Sequence, residues 1–263
     1  MTPLENATAH LLTGMNRRAC IRLLGGGLLL VGGIASTGCA RRRASETDIS
    51  NAVVLQRTDP RYRWLLDASR APNPHNMQPW LVNLQEAPNV ITLYADRQRF
   101  LPVVDPKERQ SMVGLGAFLE LLCLSAQADN QICEVSLFPQ GEALEHPVAR
   151  IKVAQNPQNG SVDDLYHYVH QRHSNRQIYD ADRFLTQPAL SELTKAASCH
   201  GVLVQGSIQP QKVAQVSARA AAAWGAELND EALVMETLRV TRIGSCEIES
   251  FRDGIAVQGL FLN

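Results

Sequence analysis

Apolar positions along the chain change period several times, and each change predicts an element. Asp59-Pro60 is a helix start, with Asp as N-cap and Pro at the first helical position. Tyr62, Leu65, Leu66 and Ser69 follow at helical spacing until Pro72 and Pro74 end the helix. Trp80–Leu84 and Val90–Tyr94 are short apolar runs around a Pro88-Asn89 turn and predict two strands. Asp105-Pro106 repeats the start signal, with Glu108 at the third helical position completing a capping box. The helix it opens is apolar nearly all round from Met112 to Leu124, the pattern of a buried helix. Gly114 and Gly116 within it permit another backbone to approach closely. Strands are expected at Cys133–Phe138 and Val148–Val153. After the Asn/Pro/Gln-rich stretch 156–160, Ser161 with Asp164 predicts a helix to about Gln171, and Thr186 with Pro188 another to about Ala197. Gly201–Gly206 predicts a short strand, and 211–240 an Ala-rich amphipathic helix interrupted near Gly225. This order of elements is an α+β pattern.

The N-terminal part has a different character. Arg17-Arg18 precedes an uncharged run from Leu23 to Ala40 containing glycines 25, 26, 27, 32, 33 and 38, and charge returns at Arg41-Arg42-Arg43. A twin arginine before a weakly hydrophobic, Gly-rich stretch resembles a twin-arginine export signal, with an N-terminal membrane anchor as the alternative. Ser36-Thr37-Gly38-Cys39 resembles in part a lipoprotein processing site, and cleavage after Ala40 fits as well. The expected organisation is a signal segment at 1–40, a polar linker at 41–58, and folded chain from 59. The expected location is outside the cytoplasm, periplasmic or membrane-anchored, with membrane contact only through the signal segment or a lipid on Cys39.

Composition narrows the classes. The chain has 263 residues, 45% hydrophobic and 19% charged, which is a globular composition. Lys plus Arg number 25 against 26 Asp plus Glu, a balance that argues against a nucleic-acid partner. Cysteines 123, 133, 199 and 246 make no metal-binding spacing and read as core thiols. An oxidising compartment would permit a Cys123–Cys133 disulfide; spacing does not decide it. His167 and His170 could share a helix face, but no carboxylate or cysteine completes a familiar metal pattern. Glu236, Arg239 and Arg242 read as a solvated helix face.

Two segments carry chemistry. Ala71-Pro72-Asn73-Pro74-His75-Asn76-Met77-Gln78-Pro79-Trp80 is a proline-stiffened loop presenting amides, which donate and accept at once and can read the edge of a heteroaromatic ring. Arg172-His173-Ser174-Asn175-Arg176 places two guanidiniums around a hydroxyl, a set suited to phosphate. Each alone also reads as polar decoration, of a loop and of a helix end.

Together they resemble the nitroreductase family of flavoproteins. The first segment is similar to that family's Pro-Ser-x-x-Asn-x-Gln-Pro-Trp motif, with Asn73 in place of the serine. The second, continuing through Gln177-Ile178-Tyr179 to Leu185-Thr186-Gln187-Pro188, is similar to its Arg-x-Ser-x-Arg/Lys motif. The motif order is the reverse of that in ordinary members. That order resembles the twin-arginine-exported, Acg-like branch, in which two nitroreductase-like halves are fused. The resemblance covers roughly residues 59–263 and implies a nitroreductase-like α+β fold with a mixed or antiparallel sheet, flanking helices, and tandem halves at 59–160 and 161–263 mimicking a two-fold dimer. Family members continue well past Asp253-Gly254-Ile255, so the second half is expected to be incomplete and the chain truncated.

The resemblance also implies a cofactor, FMN. Arg172, His173, Ser174 and Arg176 would hold its phosphate and ribityl side; Asn73, Pro74 and Asn76 would meet the isoalloxazine, and Gln78 and Trp80 would support that loop. No catalytic side chain is expected, because the flavin carries the hydride chemistry. The implied activity is hydride transfer from NAD(P)H or another donor to a small-molecule acceptor, a quinone or nitroaromatic. The alternatives are a flavin-sequestering protein without turnover and a truncated, inactive member.

Overall fold

Among the described residues the first helix begins one residue after the expected start, with Pro60 rather than Asp59 as N-cap. In a computed structural model of the chain, α1 runs Arg61–Ala68. The Asp59 carboxylate accepts the Arg61 backbone N–H at 3.0 Å and caps the helix from two residues away. The structure describes residues 20–24, 27–30, 59–158, 160–175, 180, 183–198 and 201–257. Arg17-Arg18, Cys39, the linker 41–58 and Arg176 lie outside them.

The chain divides into two compact units. The first comprises Met1–Ser174 with Val240–Gly259 and is built on a six-stranded antiparallel sheet. Its strands are β1 (Cys20–Leu24), β2 (Gly27–Leu30), β3 (Trp80–Asn83), β4 (Val90–Ala95), β5 (Gln131–Leu137) and β6 (Ala149–Gln155), in the order β2-β1-β3-β4-β6-β5. The β1–β2 hairpin overlaps the apolar run that resembles an export signal, and β1 pairs Cys20 with Asn83 and Ile21 with Val82 of β3. The central strand β4 pairs Trp80 with Ala95 on one side and Ile91 with Ile151 on the other. Against the sheet pack α1 and α2 (Arg109–Ala128). Trp80, Val82, Leu93 and Ile151 of the sheet meet Leu115, Phe118 and Leu122 of α2, all buried. The Trp80 and Phe118 ring centroids lie 5.0 Å apart. This is an α+β fold with an antiparallel sheet and flanking helices.

The β3–β4 turn is organised by a buried charge. The Arg61 guanidinium donates to the carbonyls of Leu84 (3.2 Å), Ala87 (2.9 Å) and Val90 (2.8 Å). Asp59 balances it at 2.7 Å. A guanidinium has enough donors in a fixed fork to serve all these partners at once.

Several local expectations need correction. The capping box at Asp105–Glu108 does not form: α2 begins at Arg109, and Glu108 is its N-cap in the left-handed region, φ 57°. Asp105 instead reaches further, accepting from Gln110 N at 3.2 Å and from Ser111 N and Oγ at 2.9 Å each. Nor is α2 buried all round, because Val113, Gly116, Glu120 and Gln127 open one side to solvent. Over 161–171 there is only a short 3₁₀ helix, Asp164–Tyr168, with Asp163 rather than Ser161 accepting from Leu165 N at 2.8 Å.

The second unit comprises Asn175–Arg239 with Leu260–Asn263 and holds α3 (Gln187–Ala197), α4 (Pro210–Leu228) and α5 (Glu231–Arg239). Thr186 caps α3 as expected, its Oγ1 accepting from Ala189 N at 3.4 Å. The strand expected at 201–206 is irregular chain instead, since no described strand pairs with it and an unpaired strand leaves its backbone groups unserved. The long helix breaks at Asn229-Asp230, not at Gly225. Helix formers flank Gly225 and absorb its cost of about 1 kcal/mol, whereas Asp230 Oδ1 starts a new helix by accepting from Ala232 N at 2.9 Å and Leu233 N at 3.2 Å.

The chain returns to the first unit through β7 (Thr241–Arg242), α6 (Gly244–Phe251) and β8 (Ile255–Ala256), with β7 and β8 paired in parallel.

Candidate functional site

The Ala71–Trp80 loop is held in a conformation that few side chains favour. His75, Asn76 and Gln78 have φ of 49°, 53° and 52°, the left-handed region that non-glycine residues rarely occupy. Pro74–Asn76 forms one 3₁₀ turn. Asn73 ties the loop together: its Oδ1 accepts from Gln78 N at 2.7 Å and its Nδ2 donates to Ala71 O at 3.0 Å. Below it lies Gly114 of α2, where a Cβ would come 3.0 Å from Asn73 Cβ and 3.4 Å from Pro72 O. The close approach expected of that glycine is therefore realised by this loop. Gly116 has no neighbour of that kind.

A second brace comes from far along the chain. The buried Gln78 side chain donates from Nε2 to Arg252 O at 2.7 Å, and Gly254 N donates to Asn76 O at 3.2 Å. Gly254 has φ +78°, and a Cβ there would run into the Val240 carbonyl, so only glycine fits. Beside this junction, Arg99 donates to Met77 O at 2.8 Å and to Asp253 Oδ2 at 2.9 Å. Arg242 donates to Asp253 Oδ1 at 2.7 Å, and its guanidinium carbon sits 4.4 Å above the Phe251 ring. Asp96 lies 3.6 Å from Arg99 Nε. Two carboxylates and two guanidiniums thus form a largely buried network, in which each charge has an opposite partner. Arg242 is consequently not on a solvated helix face. It lies in β7 with its side chain 12% exposed, and Glu236 is buried too.

The second motif starts close to the first. His170 Nε2 lies 3.0 Å from Asp67 Oδ1, a buried carboxylate of α1 whose other oxygen accepts from Ser125 Oγ at 2.5 Å. Two residues later, Arg172 donates from Nη2 to the carbonyl of Arg70, three positions before Asn73. Burial, and then the neighbouring Arg70 charge, lower the Arg172 pKa below the ordinary arginine value. Asp67, Ser125 and His170 do not form a nucleophilic triad, since the carboxylate rather than the imidazole binds the hydroxyl. Among the described residues no cluster of His, Cys, Asp and Glu is arranged to hold a metal ion.

The predicted residues therefore fall into three groups. Gln78 and Trp80 are buried beneath the loop, and Asn73 spends its amide inside it. Asn76 is exposed at the left-handed turn, with Pro74 buried beside it. Arg172 sits at the loop's upstream end, followed by exposed His173 and Ser174; the His173 Nδ1 lies 3.0 Å from Gln171 O. Sequence reasoning missed Arg70, Arg99 and the full part played by Asp253. Only the Asp253-Gly254 pair carried a readable signal, because Gly after Asp marks a turn.

No family model matches the chain. It is similar to Uncharacterized protein Rv3127 of Mycobacterium tuberculosis (strain ATCC 25618 / H37Rv), with 32% identity over 78 residues. It is equally similar to Uncharacterized protein MT3212 of Mycobacterium tuberculosis (strain CDC 1551 / Oshkosh), also 32% over 78 residues. In both cases the aligned stretch covers 29% of this chain and 23% of the relative.

Proposed function

We propose that the chain is an FMN-binding oxidoreductase of the nitroreductase type, exported by the twin-arginine route and built from tandem nitroreductase-like halves. The observation that carries the reading is the approach of the two motifs: Arg172 bonds the Arg70 carbonyl, at the entrance to the loop that presents Asn76. The local chemistry fits a flavin mononucleotide. Burial first, and then the charge of Arg70, lower the Arg172 pKa, and an anion with phosphate geometry would offset both by pairing with the guanidinium. The exposed amide of Asn76 can donate to and accept from a ring edge.

In this reading Arg172, with His173 and Ser174, binds the phosphate and ribityl side. Asn76 orients the ring, and Asn73 and Gln78 with Arg99 and Asp253 keep the loop in its left-handed form. When bound, FMN supplies hydride transfer between NAD(P)H or another donor and a quinone or nitroaromatic acceptor.

The test is to purify the full chain, record its visible spectrum, and assay NADH and NADPH oxidation with a quinone. Co-purified flavin with turnover is the expected result. Flavin without turnover would replace the activity by sequestration. Absence of flavin, together with no uptake of added FMN, would refute the reading.

A further inference from the structure

The C-terminal end of α1 offers two acceptors to the segment 164–174. The first is the Asp67 carboxylate, whose side chain is only 4% exposed. Ser125 of α2 donates from Oγ to Oδ2 at 2.5 Å, and Oδ1 faces His170 Nε2 at 3.0 Å. A carboxylate only accepts, so Nε2 is a protonated nitrogen of that ring. Arg63, one turn earlier on α1, pairs with Asp129 instead. The second acceptor is the Arg70 carbonyl, just beyond α1, which Arg172 Nη2 reaches. The segment that carries His170 and Arg172 is itself tightly turned. Arg172 N donates to Tyr168 O at 2.7 Å, and Gln171 N donates to the same carbonyl at 3.0 Å. Val169 is buried beside His170, and the 3₁₀ helix before it packs on α2.

We propose that the Asp67–His170 contact docks this segment on α1 and so holds Arg172 at the phosphate side of the flavin site, which makes Asp67 and His170 positioning residues. The docking itself stands on the two contacts with α1; its consequence for a ligand rests on the flavin reading. Arg172 is exposed, and a long side chain with much rotamer freedom is ordered only weakly by one bond to a carbonyl. An attachment two residues earlier fixes its backbone, and a guanidinium already in place gives up less entropy when it meets an anion. The buried carboxylate is a firm point of attachment, because a buried acceptor left without its donor costs more than an exposed bond gains. Ser125 fixes the orientation of that carboxylate through its other oxygen.

The full chain is compared with His170→Ala, with His170→Gln, which keeps a donor near the position of Nε2, and with Arg172→Ala. Amide hydrogen exchange reads the docking without any ligand. His170→Ala should speed exchange at Val169, Gln171 and Arg172 while the sheet amides keep their protection, and His170→Gln should keep the parental rates. FMN titration reads the consequence. His170→Ala should weaken binding about fivefold, the worth of one hydrogen bond, and His170→Gln should match the parent. In the Arg172→Ala background His170→Ala should add nothing, since it acts through that guanidinium. Unchanged exchange in His170→Ala would overturn the docking. Unchanged affinity, or a further loss on top of Arg172→Ala, would overturn the positioning role. A parent chain that binds no FMN would refute the flavin reading and with it the ligand role, and exchange alone would then decide the docking.

Discussion

Helices α2 and α4 have nearly equal lengths, 20 and 19 residues, and both are rich in alanine and larger apolar residues. The first buries Leu115, Phe118, Leu122 and Ala126 completely against the sheet. The second buries none of its residues, and its Trp224 stands 62% exposed. The same contrast holds between their units: among the described residues of 175–239 no apolar side chain is buried, whereas β3, β4 and β6 are lined with them. Helical periodicity therefore decides that a segment is a helix, but burial requires a surface that supplies complementary contacts. That surface is the sheet in the first unit.

The contrast can be broken by substitution. Phe118→Ala should cost about 3–5 kcal/mol, since it removes a fully enclosed ring from contact with Trp80. Trp224→Ala should stay within about 0.5 kcal/mol, as surface changes do. Chemical denaturation measures both, and equal losses would show that α4 is as tightly packed as α2. Arg61→Ala comes next, at about 3 kcal/mol, because it leaves a bonded carboxylate and the turn carbonyls without their donor.

Within α2 the two glycines give a finer test. Gly114→Ala should destabilise by about 1–3 kcal/mol, because the new Cβ presses on Asn73. Gly116→Ala should be neutral or stabilising by up to about 1 kcal/mol, since nothing lies near it. A loss at Gly116 equal to that at Gly114 would remove the argument that the loop rests on Gly114.

The smallest effect is electrostatic. Bonds from Arg150 and Thr92 hold the Glu86 carboxyl below its ordinary value. A lowered folded pKa gives stability that is present above the unfolded value, about 4.3, and is lost as pH falls through the folded value. Both side chains of the pair are 40% exposed, so Glu86→Gln should cost less than about 0.5 kcal/mol at neutral pH. The difference should vanish in acid; a difference that grew in acid would contradict the assignment.

What could be read beforehand follows the range of each interaction. The start of α1 was legible because Asp59 acts two residues away, and the β3–β4 hairpin because its turn and strands are contiguous. Glu108 was misread because Asp105 reaches past it to Ser111 and takes over the capping. The Asn73–Gln78 loop was legible as a polar presentation. Its bracing was not, since Arg99 and Asp253 lie 154 residues apart in sequence and no local pattern couples them. Nor does any spacing show that Arg172 meets Arg70 over 102 residues.

The central claim is that the Asn76 loop and Arg172 together accept FMN, and titration of flavin-free protein with FMN, followed by flavin fluorescence, tests it most directly. Saturable binding of about one FMN per chain, weakened tenfold or more by Arg172→Ala through loss of charge-assisted phosphate bonds and also weakened by Asn76→Ala, is the predicted result. No saturable binding, or binding that ignores both substitutions while the variants remain folded, would contradict it.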